Sequence, residues 1–412
     1  MKFSCDSRRI RRDLEALAQF TATPGRGVTR FSFTPEDRLA RNYIKDRMAE
    51  AGLKVYEDAA GSVFGRREGK LPGPVVMFGS HYDSVRHGGI FDGAAGVAAA
   101  LEAARTLSER GVATALPLEF AALIEEEGGR FGRPLFASRV MTGLVQPEEL
   151  EAAKDADGVT LAEAMRQFGL QPENIAAARR SPASLKAFLE LHVEQGPVLE
   201  AEGKDLGIVD TIVGISQFEL TFTGRPDHAG TTPMLHRADA LVAAAAAINE
   251  INALARAAGP GTVATVGNIA VSPGAANIVP GTAVLSLDVR SVDAAKISGL
   301  VEALKSFLAK LPESHGVQVN IAPGVAVPPT RFDPKITAML TAAAAGRGLA
   351  ARTMPSGAGH DAMVMAAIAP AGLVFVPSRG GRSHCPEEAT DFEQIAAATD
   401  VCLEVILQLA AG

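Results

Sequence analysis

Short apolar runs alternate with Ala-rich helical patterns in the first part of the chain, and several runs are followed by a histidine or an acidic residue. The runs 75–79 and 116–124 have the length and composition of buried strands. Between them, 93–110 has a helical pattern bounded by glycine on both sides. Another apolar run, 373–376, precedes a later histidine. This alternation predicts an α/β fold in which strand ends deliver side chains to one crevice.

The segment 214–324 follows a different order. Strand, helix, strand, strand, helix and strand patterns succeed one another there, which is the order of a ferredoxin-like α+β sandwich. A Pro-rich stretch at 326–334 is typical of a crossing back to the first domain. We therefore expect one domain built from residues 1–213 and 325–412, with 214–324 inserted into it. A chain of 412 residues is long enough for two or three such cores.

Composition excludes several classes of protein. Hydrophobic residues make up 47% and the net charge is −7, without the basic stripe that nucleic-acid binding requires. The basic cluster 8–12 predicts the exposed face of a helix rather than a targeting peptide, because no apolar stretch follows it. The Ala-rich run 240–248 is too short to cross a bilayer. Three sparse cysteines fit a reducing compartment, so we expect a cytoplasmic protein with no membrane or nucleic-acid partner.

Histidines and acidic residues near predicted strand ends or in glycine-rich turns are candidate metal ligands. They are His81, Asp92, Glu127, His192 and His384. Nitrogen and oxygen ligands of this kind, with one carboxylate able to bridge, meet the needs of two adjacent divalent cations. The neighbouring Glu126 is then free to move a proton, and Asp83 can orient the His81 ring. We therefore predict a hydrolytic centre with two divalent metals, Zn²⁺ or else Mn²⁺, Ni²⁺ or Co²⁺.

Each of these residues also has a structural explanation. A single histidine at a strand end is often a satisfied core residue, and the acidic run 125–127 could lie on a solvated surface. Against the second explanation, largely apolar residues precede the run and two glycines follow it. The glycines around Asp92 could cradle a phosphate, but their spacing matches no nucleotide-binding motif. Cys385 could be a further ligand, although a small packed residue is the preferred interpretation. The chain lacks H-E-x-x-H and G-x-S-x-G, which argues against zincins and serine hydrolases.

Together with the segments that carry the candidate ligands, four segments are the most specific for a resemblance to a known family: ELHVEQGPVLE, DHAGTTPM, NIVPG and SGAGHDA. Over nearly its full length the chain resembles the M20-type dinuclear metallohydrolases, and within them the hydantoinase/carbamoylase subfamily. The resemblance implies hydrolysis of the N-carbamoyl group of L-amino acids. Hydrolysis of allantoate or of N-carbamoyl-β-alanine is the alternative within the subfamily. Because His192 stands where peptide-cleaving members carry an acid, an aminoacylase or dipeptidase is disfavoured.

The resemblance also implies a division of labour among the candidate residues. One metal would be held by His81, Asp92 and His192. The other would be held by Asp92, Glu127 and His384, so that Asp92 bridges. Glu126 would act first as general base and then as general acid. A non-catalytic metal-binding homologue, the rival from a different class, would be expected to lack this glutamate.

Substrate contacts follow from the same resemblance. They are assigned to Gln195, His228, Asn277, Arg290 and His360. In a homodimer, His228 would reach the site of the partner subunit and stabilise the oxyanion. Asn277 and Arg290 would grip the carboxylate of a small ureido substrate, and His360 would line the pocket. The residues themselves leave other roles open, since Arg290 could pair with a nearby aspartate and Asn277 could form a turn.

The family fold consists of a zinc-peptidase-like catalytic domain with a mixed central sheet and an inserted dimerisation, or lid, domain. This organisation agrees with the order of patterns in the sequence. We expect the inserted domain to hinge near Val213 and Val325. One departure from the family pattern is Arg382, which stands where an apolar residue often precedes the Ser-His pair.

Overall fold

The computed structural model describes residues 3–411, which form two compact units. The smaller unit comprises Thr211–Arg331 and the short segment Pro355–Ala358. The larger unit comprises the described residues up to Asp210, Phe332–Met354, and those from Gly359 onward. The expected inserted segment, 214–324, lies within the smaller unit, which extends beyond it at both ends. Val325 lies inside a strand of that unit rather than at its boundary.

Thirteen strands and thirteen α-helices make up the described chain. The strands are β1 Lys54–Glu57, β2 Val63–Arg67, β3 Val75–His81, β4 Leu118–Leu123, β5 Leu185–Val193, β6 Leu206–Ile212, β7 Gly214–Thr223, β8 Thr262–Ser272, β9 Thr282–Ser291, β10 Gln318–Val327, β11 Thr330–Arg331, β12 Ala351–Ser356 and β13 Ala371–Val376. The helices are α1 Ser7–Ala18, α2 Pro35–Glu50, α3 Ala94–Glu109, α4 Phe136–Met141, α5 Pro147–Ala152, α6 Leu161–Phe168, α7 Val198–Ala201, α8 Ala240–Ala258, α9 Ala294–Leu308, α10 Leu311–His315, α11 Pro334–Gly346, α12 Asp361–Met365 and α13 Phe392–Leu409. Short 3₁₀ helices lie at Pro172–Ala178, Pro182–Ser184, Met234–His236 and Arg379–Gly381.

A mixed sheet of nine strands organises the larger unit, in the order β1-β2-β4-β3-β5-β13-β6-β11 with β12 paired to β6. Its central strands β4, β3, β5 and β13 are parallel neighbours. Strands β1, β2, β6 and β11 join it in antiparallel pairs. The central strands are almost entirely buried, as strands covered by helices are. The prediction of an α/β fold with a mixed central sheet is confirmed.

Helix α3 shows why the sequence needs small residues at this point. It packs against β3 and β5, and every residue from Ala94 to Leu107 is buried. A Cβ added at Gly96 would lie 2.2 Å from the Leu191 carbonyl oxygen. Larger side chains would therefore push the helix away from the sheet. This close approach keeps the start of α3 next to the ends of the parallel strands.

The smaller unit contains a four-stranded antiparallel sheet in the order β10-β7-β9-β8, with α8 and α9 packed on it. Alternation along β9 buries Leu285, Leu287 and Val289 against the helices. The same period of two leaves Asp288 and Arg290 on the other face. The element order and the strand order are those of a ferredoxin-like sandwich. Its role as a dimerisation or lid domain stays a prediction.

Helix α8 extends well past the Ala-rich run on which the expectation of no membrane span was based. By length and composition alone, Ala240–Ala258 is long and apolar enough to cross a membrane. One such helix is weak evidence for a span. Its inward residues, among them Ala243, Ala247 and Ile251, belong to the core of the four-stranded sheet.

Candidate metal centre

Four parallel strands end at one edge of the large sheet, and their ends carry most of the predicted ligands. His81 is the last residue of β3, and His192 is the last but one of β5. Glu127 follows β4 after a short turn, and His384 lies in the loop after β13. Because parallel strands share the same carboxyl edge, side chains far apart in sequence meet there. The structure therefore brings these candidate residues to one sheet edge, and their role as ligands stays a prediction.

Asp92 reaches the same place through the loop before α3. Gly93, the next residue, has φ of 61°, and a Cβ on it would lie 2.3 Å from Cε1 of the His81 ring. Only glycine fits this conformation beside that ring. Asp92 thereby sits at the N-terminus of α3, where the helix dipole favours a carboxylate. The glycine-rich segment thus allows Asp92 to lie close to His81.

The predicted ligands form two overlapping groups. In each group, the potential ligand atoms lie within 4.8 Å of one another. One group is His81, Asp92 and His192, and the other is Asp92, Glu127 and His384. A third group joins His81 to Glu126 and Glu127. None of these groups, which were sought among residues 3–411, includes Cys385.

The two oxygens of Asp92 face different groups. Oδ1 lies 3.1 Å from Nε2 of His192 and 3.6 Å from Nε2 of His81. Oδ2 lies 3.2 Å from Nε2 of His384, which is itself 3.6 Å from Oε1 of Glu127. A carboxylate divided in this way between two sets of ligands has the arrangement that a bridging ligand needs.

The tautomer of His192 follows from its neighbours. Its Nδ1 lies 2.9 Å from the carbonyl oxygen of Val193, so Nδ1 carries the hydrogen. Its Nε2 receives the backbone N–H of Gly93 at 3.2 Å. In the neutral ring, no hydrogen therefore lies between this Nε2 and Oδ1 of Asp92, although the two atoms are 3.1 Å apart. Two facing lone pairs at this distance repel unless a proton or a metal cation lies between or beside them.

The ring of His81 is oriented in the same way. Its Nδ1 lies 3.2 Å from the carbonyl oxygen of Asp83, which turns the Nε2 lone pair inward, 3.3 Å from Nε2 of His192. Oδ1 of Asp92 and Oε1 of Glu127 are buried without a hydrogen-bond partner in the described chain. Inward lone pairs and unsatisfied buried oxygens are the donor set that divalent cations bind. The residues present therefore fit a pair of such cations.

The pKa shifts of the ionisable side chains in these groups also indicate a site suited to cations. Burial raises the pKa of Glu126 well above that of a free glutamic acid. Burial, together with the charge of Asp92, raises the pKa of Glu127 to about 7. The hydrogen bond to Asp92 raises the pKa of His384 to about 9. Several like charges in one buried site are costly unless cations neutralise them.

Asp83 has a different main contact from the one predicted. Its carboxylate accepts the backbone N–H groups of Glu126 at 3.0 Å and Glu127 at 3.1 Å. Its Oδ1 lies 3.5 Å from Nδ1 of His81, whose nearer acceptor is the Asp83 carbonyl. Asp83 therefore fixes the turn that presents both glutamates, and it orients His81 chiefly through its backbone.

Gln195 lies against the candidate ligands. Its Nε2 donates to Oδ2 of Asp92 at 2.9 Å and lies 3.3 Å from Nε2 of His384. The backbone has φ of 59° there, and its N–H donates to Oγ of Ser378 at 3.0 Å. A left-handed residue of this kind is uncommon outside glycine and asparagine and is held by its surroundings. The substrate contact predicted for Gln195 stays a prediction.

His360 is buried rather than open to solvent, with 1% of its surface exposed. Its ring packs edge-on against His192, with 4.4 Å between ring centroids, and also against Phe375. Burial holds its pKa well below that of a free histidine, so the ring is neutral. The structure thus places the ring of His360 in contact with that of a candidate ligand, and its role in lining the pocket stays a prediction.

The remaining predicted residues lie on the smaller unit. His228 is exposed, and its Nδ1 accepts the backbone N–H groups of Gly230 at 3.1 Å and Thr231 at 3.2 Å. The hydrogen of the neutral ring is therefore on Nε2, which is left as a donor. The exposed Asn277 lies beside it, because its carbonyl accepts the N–H of Ala229 at 3.0 Å. The DHAG and NIVPG segments are thus brought together.

Arg290 makes one of the ion pairs that the sequence left open. Its Nε donates to Oδ1 of Asp288 at 2.8 Å and its Nη2 to Oδ2 at 3.3 Å. Its Nη1 donates to the Gly357 carbonyl at 2.8 Å. These contacts use three of the five donors of the guanidinium and leave one on each terminal nitrogen. The pair with Asp288 orients Arg290 and leaves donors for a carboxylate.

Sequence reasoning missed two buried acids near the centre. Glu190 accepts the Ser80 hydroxyl at 2.7 Å and the Ala362 N–H at 2.8 Å, two residues before His192 in β5. An acid in a strand as apolar as β5 was the available signal. The second acid is Glu388, in the loop after His384. The unusual Arg382 is exposed in its side chain and pairs with Glu387 at 3.0 Å.

The fold and the site define an α/β protein with a largely buried centre of histidines and carboxylates, in which His384 is exposed. This centre is suited to two divalent cations. The sequence model of Peptidase family M20/M25/M40 matches residues 77–408, and the chain belongs to this family of hydrolases. The family predicted from the motifs is therefore confirmed.

The chain is also similar to individual relatives and to solved structures. The chain is 44% identical over 402 residues to an N-carbamoyl-L-amino-acid amidohydrolase of Paenarthrobacter aurescens, covering 97% of each. It is 35% identical over 398 residues to an allantoate amidohydrolase of Bacillus subtilis, covering 96% of each. The crystal structure of an amidase of the hydantoinase/carbamoylase family from Burkholderia multivorans superposes with a TM-score of 0.92 at 36% identity, covering 100% of this chain and 99% of the other.

Proposed function

We propose that the protein is a metal-dependent amidohydrolase that removes the N-carbamoyl group of N-carbamoyl-L-amino acids, giving the amino acid, CO2 and ammonia. The observation that carries the proposal is the division of Asp92 between two groups of ligands at the edge of a parallel sheet. The substrate class is supported by the name of the Paenarthrobacter aurescens relative, which matches the chain nearly end to end. Hydrolysis of allantoate is the second candidate, supported by the Bacillus subtilis relative.

We propose that His81, Asp92 and His192 hold one divalent cation and that Asp92, Glu127 and His384 hold the other. When bound, such cations supply Lewis acidity to a ureido carbonyl and lower the pKa of water. A ureido carbon needs this help, because two nitrogens donate electrons to it. Imidazole and carboxylate ligands accept Zn²⁺, Mn²⁺, Ni²⁺ and Co²⁺, so availability decides which metal is bound.

Glu126 is the proposed proton carrier. It lies beside the ligands, with Oε2 3.8 Å from Nε2 of His81, and Asp83 holds its backbone N–H. Its carboxylate would take a proton from the attacking water and deliver it to the leaving nitrogen as the carbon–nitrogen bond breaks. The carbamate that remains then loses CO2. Proton transfer by a positioned side chain contributes roughly 10²–10⁴-fold to a rate.

The smaller unit would supply the substrate contacts. We propose that His228 donates its Nε2 hydrogen to the developing oxyanion, and that it does so in the partner subunit of a homodimer. The acceptor role of Nδ1, which fixes the donor on Nε2, supports this assignment. We further propose that Asn277 and Arg290 bind the carboxylate of the substrate.

Replacement of Arg290 by lysine should lower kcat/KM for an N-carbamoyl-L-amino acid roughly 10- to 100-fold, the effect of losing a charged hydrogen bond. Lysine can still pair with Asp288, so the loss reports the planar fork of arginine. The comparison substrate is the same molecule with its carboxylate converted to a carboxamide, and its turnover should change little. R256K, a change at an exposed helix residue, is the control. Equal losses on both substrates would contradict the assignment.

A screen of ammonia release would test the proposed function. The purified protein, loaded in turn with Zn²⁺, Mn²⁺, Ni²⁺ or Co²⁺, would be given N-carbamoyl-L-amino acids, N-carbamoyl-β-alanine and allantoate. We expect the highest kcat/KM for an N-carbamoyl-L-amino acid, and loss of activity on chelation. A preference for allantoate would establish the second candidate. Bound metal without turnover of any substrate would identify a non-catalytic homologue.

A further inference from the structure

Glu388 is a buried carboxylate that the proposed mechanism does not use. It lies four residues after His384, and 5% of its surface is exposed. Its Oε2 accepts the backbone N–H groups of Phe91 and Asp92, each at 3.0 Å. Its Oε1 accepts the Ser383 hydroxyl at 2.6 Å. In the described part of the chain, it forms no ion pair with a lysine or arginine, and the donors of its three hydrogen bonds are neutral.

These contacts join the two loops that deliver metal ligands from opposite ends of the sequence. One loop carries Asp92, and the other carries His384 next to Ser383. The Ser383 hydroxyl also lies 3.1 Å from Oδ2 of Asp92. Glu388 therefore holds Asp92 at two points, directly at the backbone N–H and through Ser383 at the carboxylate.

The loop before α3 is shaped around this carboxylate. A Cβ added at Gly89 would lie 2.2 Å from Oε2 of Glu388. The glycine thus leaves room for the acid to reach the N–H groups of Phe91 and Asp92. A buried acid without a lysine or arginine partner is costly, and removing its donors would be more costly still. These contacts of Glu388 act on Asp92, which belongs to both groups of ligands.

We propose that Glu388 is a positioning residue for the shared ligand Asp92, and that it sets the affinity of the protein for its second divalent cation. The inference rests on the proposed function, because it takes Asp92 to bridge two cations. Glu388 fixes the backbone from which the Asp92 carboxylate projects, and through Ser383 it holds Oδ2, the oxygen that faces His384 in the second group. Groups that orient metal ligands in this way typically contribute 10- to 100-fold to metal affinity.

Two variants separate a positioning role from a structural one. E388A removes all three acceptor contacts. E388Q keeps the shape, since its amide oxygen can accept the two backbone N–H groups and its amide nitrogen can donate to the Ser383 hydroxyl. E387A is the matched control, because the neighbouring Glu387 is exposed and pairs only with Arg382 among the described residues.

The experiment titrates Zn²⁺ into the metal-free full-length protein in competition with a chromophoric chelator, and measures the melting temperature of each metal-free variant. We expect two Zn²⁺ per chain for the wild type and E387A. The second Zn²⁺ should bind 10- to 100-fold more weakly to E388A, less weakly to E388Q, and the metal-free melting temperatures should remain close. Two Zn²⁺ bound to E388A with wild-type affinity would overturn the proposal, whatever its melting temperature.

S383A keeps the proposal testable if E388A does not fold. It removes the link between Glu388 and the Asp92 carboxylate, and it should weaken the second Zn²⁺ while leaving the backbone contacts in place. Wild-type affinity in both S383A and E388Q would then overturn the proposal. Fewer than two Zn²⁺ bound to the wild type is a distinct outcome, because it overturns the proposed two-cation function itself.

Discussion

Replacing Glu126 by glutamine should leave both cations bound and lower kcat by roughly 10²–10⁴-fold, the contribution of a positioned proton carrier. Glutamine has nearly the shape of glutamate, but it can neither take a proton from water nor return one to the leaving nitrogen. Asp83 binds the backbone N–H of residue 126 rather than its side chain, so the turn should be preserved. The measurement pairs ammonia-release kinetics with the metal content of the same sample.

Glu125 supplies the matched control for this variant. It is buried in the same acidic run, but its Oε1 faces the N–H of Phe131 at 3.4 Å, a contact that glutamine can keep. E125Q should therefore retain most of the wild-type activity. Full metal content together with surviving activity in E126Q would show that another group moves the proton. Loss of metal from E126Q would instead make Glu126 a ligand, as the group with His81 and Glu127 allows.

Much of the fold could be predicted because its central elements are specified locally. The run 75–79 lies inside β3, and the helical pattern 93–110 differs from α3 by one residue at each end. The order of patterns in the inserted segment also matches the strands and helices of the smaller unit. Apolar runs of strand length and glycine boundaries contain this information within a few residues.

The grouping of the candidate metal ligands could be predicted for a related reason. In a parallel sheet, each strand end lies at the same edge, so a histidine or an acid after each apolar run indicates a shared site. His81, Glu127, His192 and His384 follow this rule. Asp92 does not follow a strand, and the spacing of the glycines around it argued against a phosphate loop because it matches no nucleotide-binding motif.

Contacts between distant segments could not be predicted. Nearly 300 positions separate Glu388 from Asp92 (296 in the sequence), and nothing in the segment CPEE distinguishes the buried acid from its exposed neighbour Glu387. The burial of a residue is equally hidden, as His360 shows by packing against the ring of His192. Asp83 was expected to bind a side chain, but its carboxylate binds backbone N–H groups, which carry no sequence signal.

Replacing Asp92 by asparagine is the second substitution, after that of Glu126, for which we expect a large loss of activity. It removes a charge that both proposed cations share. The affinity for each Zn²⁺ should fall by more than the roughly 10- to 100-fold that follows loss of a group that only orients a ligand. Hydrolysis should then become undetectable. Asparagine keeps the size of the side chain, and its backbone N–H can still donate to Glu388, so the fold should persist.

H384A distinguishes a shared ligand from an ordinary one. His384 belongs to one group only, so this variant should lose the second Zn²⁺ and keep the first, held by His81, Asp92 and His192. Titration of the metal-free proteins should therefore give two sites for the wild type, one for H384A and no tight site for D92N. A D92N protein that kept one Zn²⁺ at wild-type affinity would show that the carboxylate serves a single cation. In that case, the 3.1 Å approach of Oδ1 to His192 and the 3.2 Å approach of Oδ2 to His384 would need separate explanations.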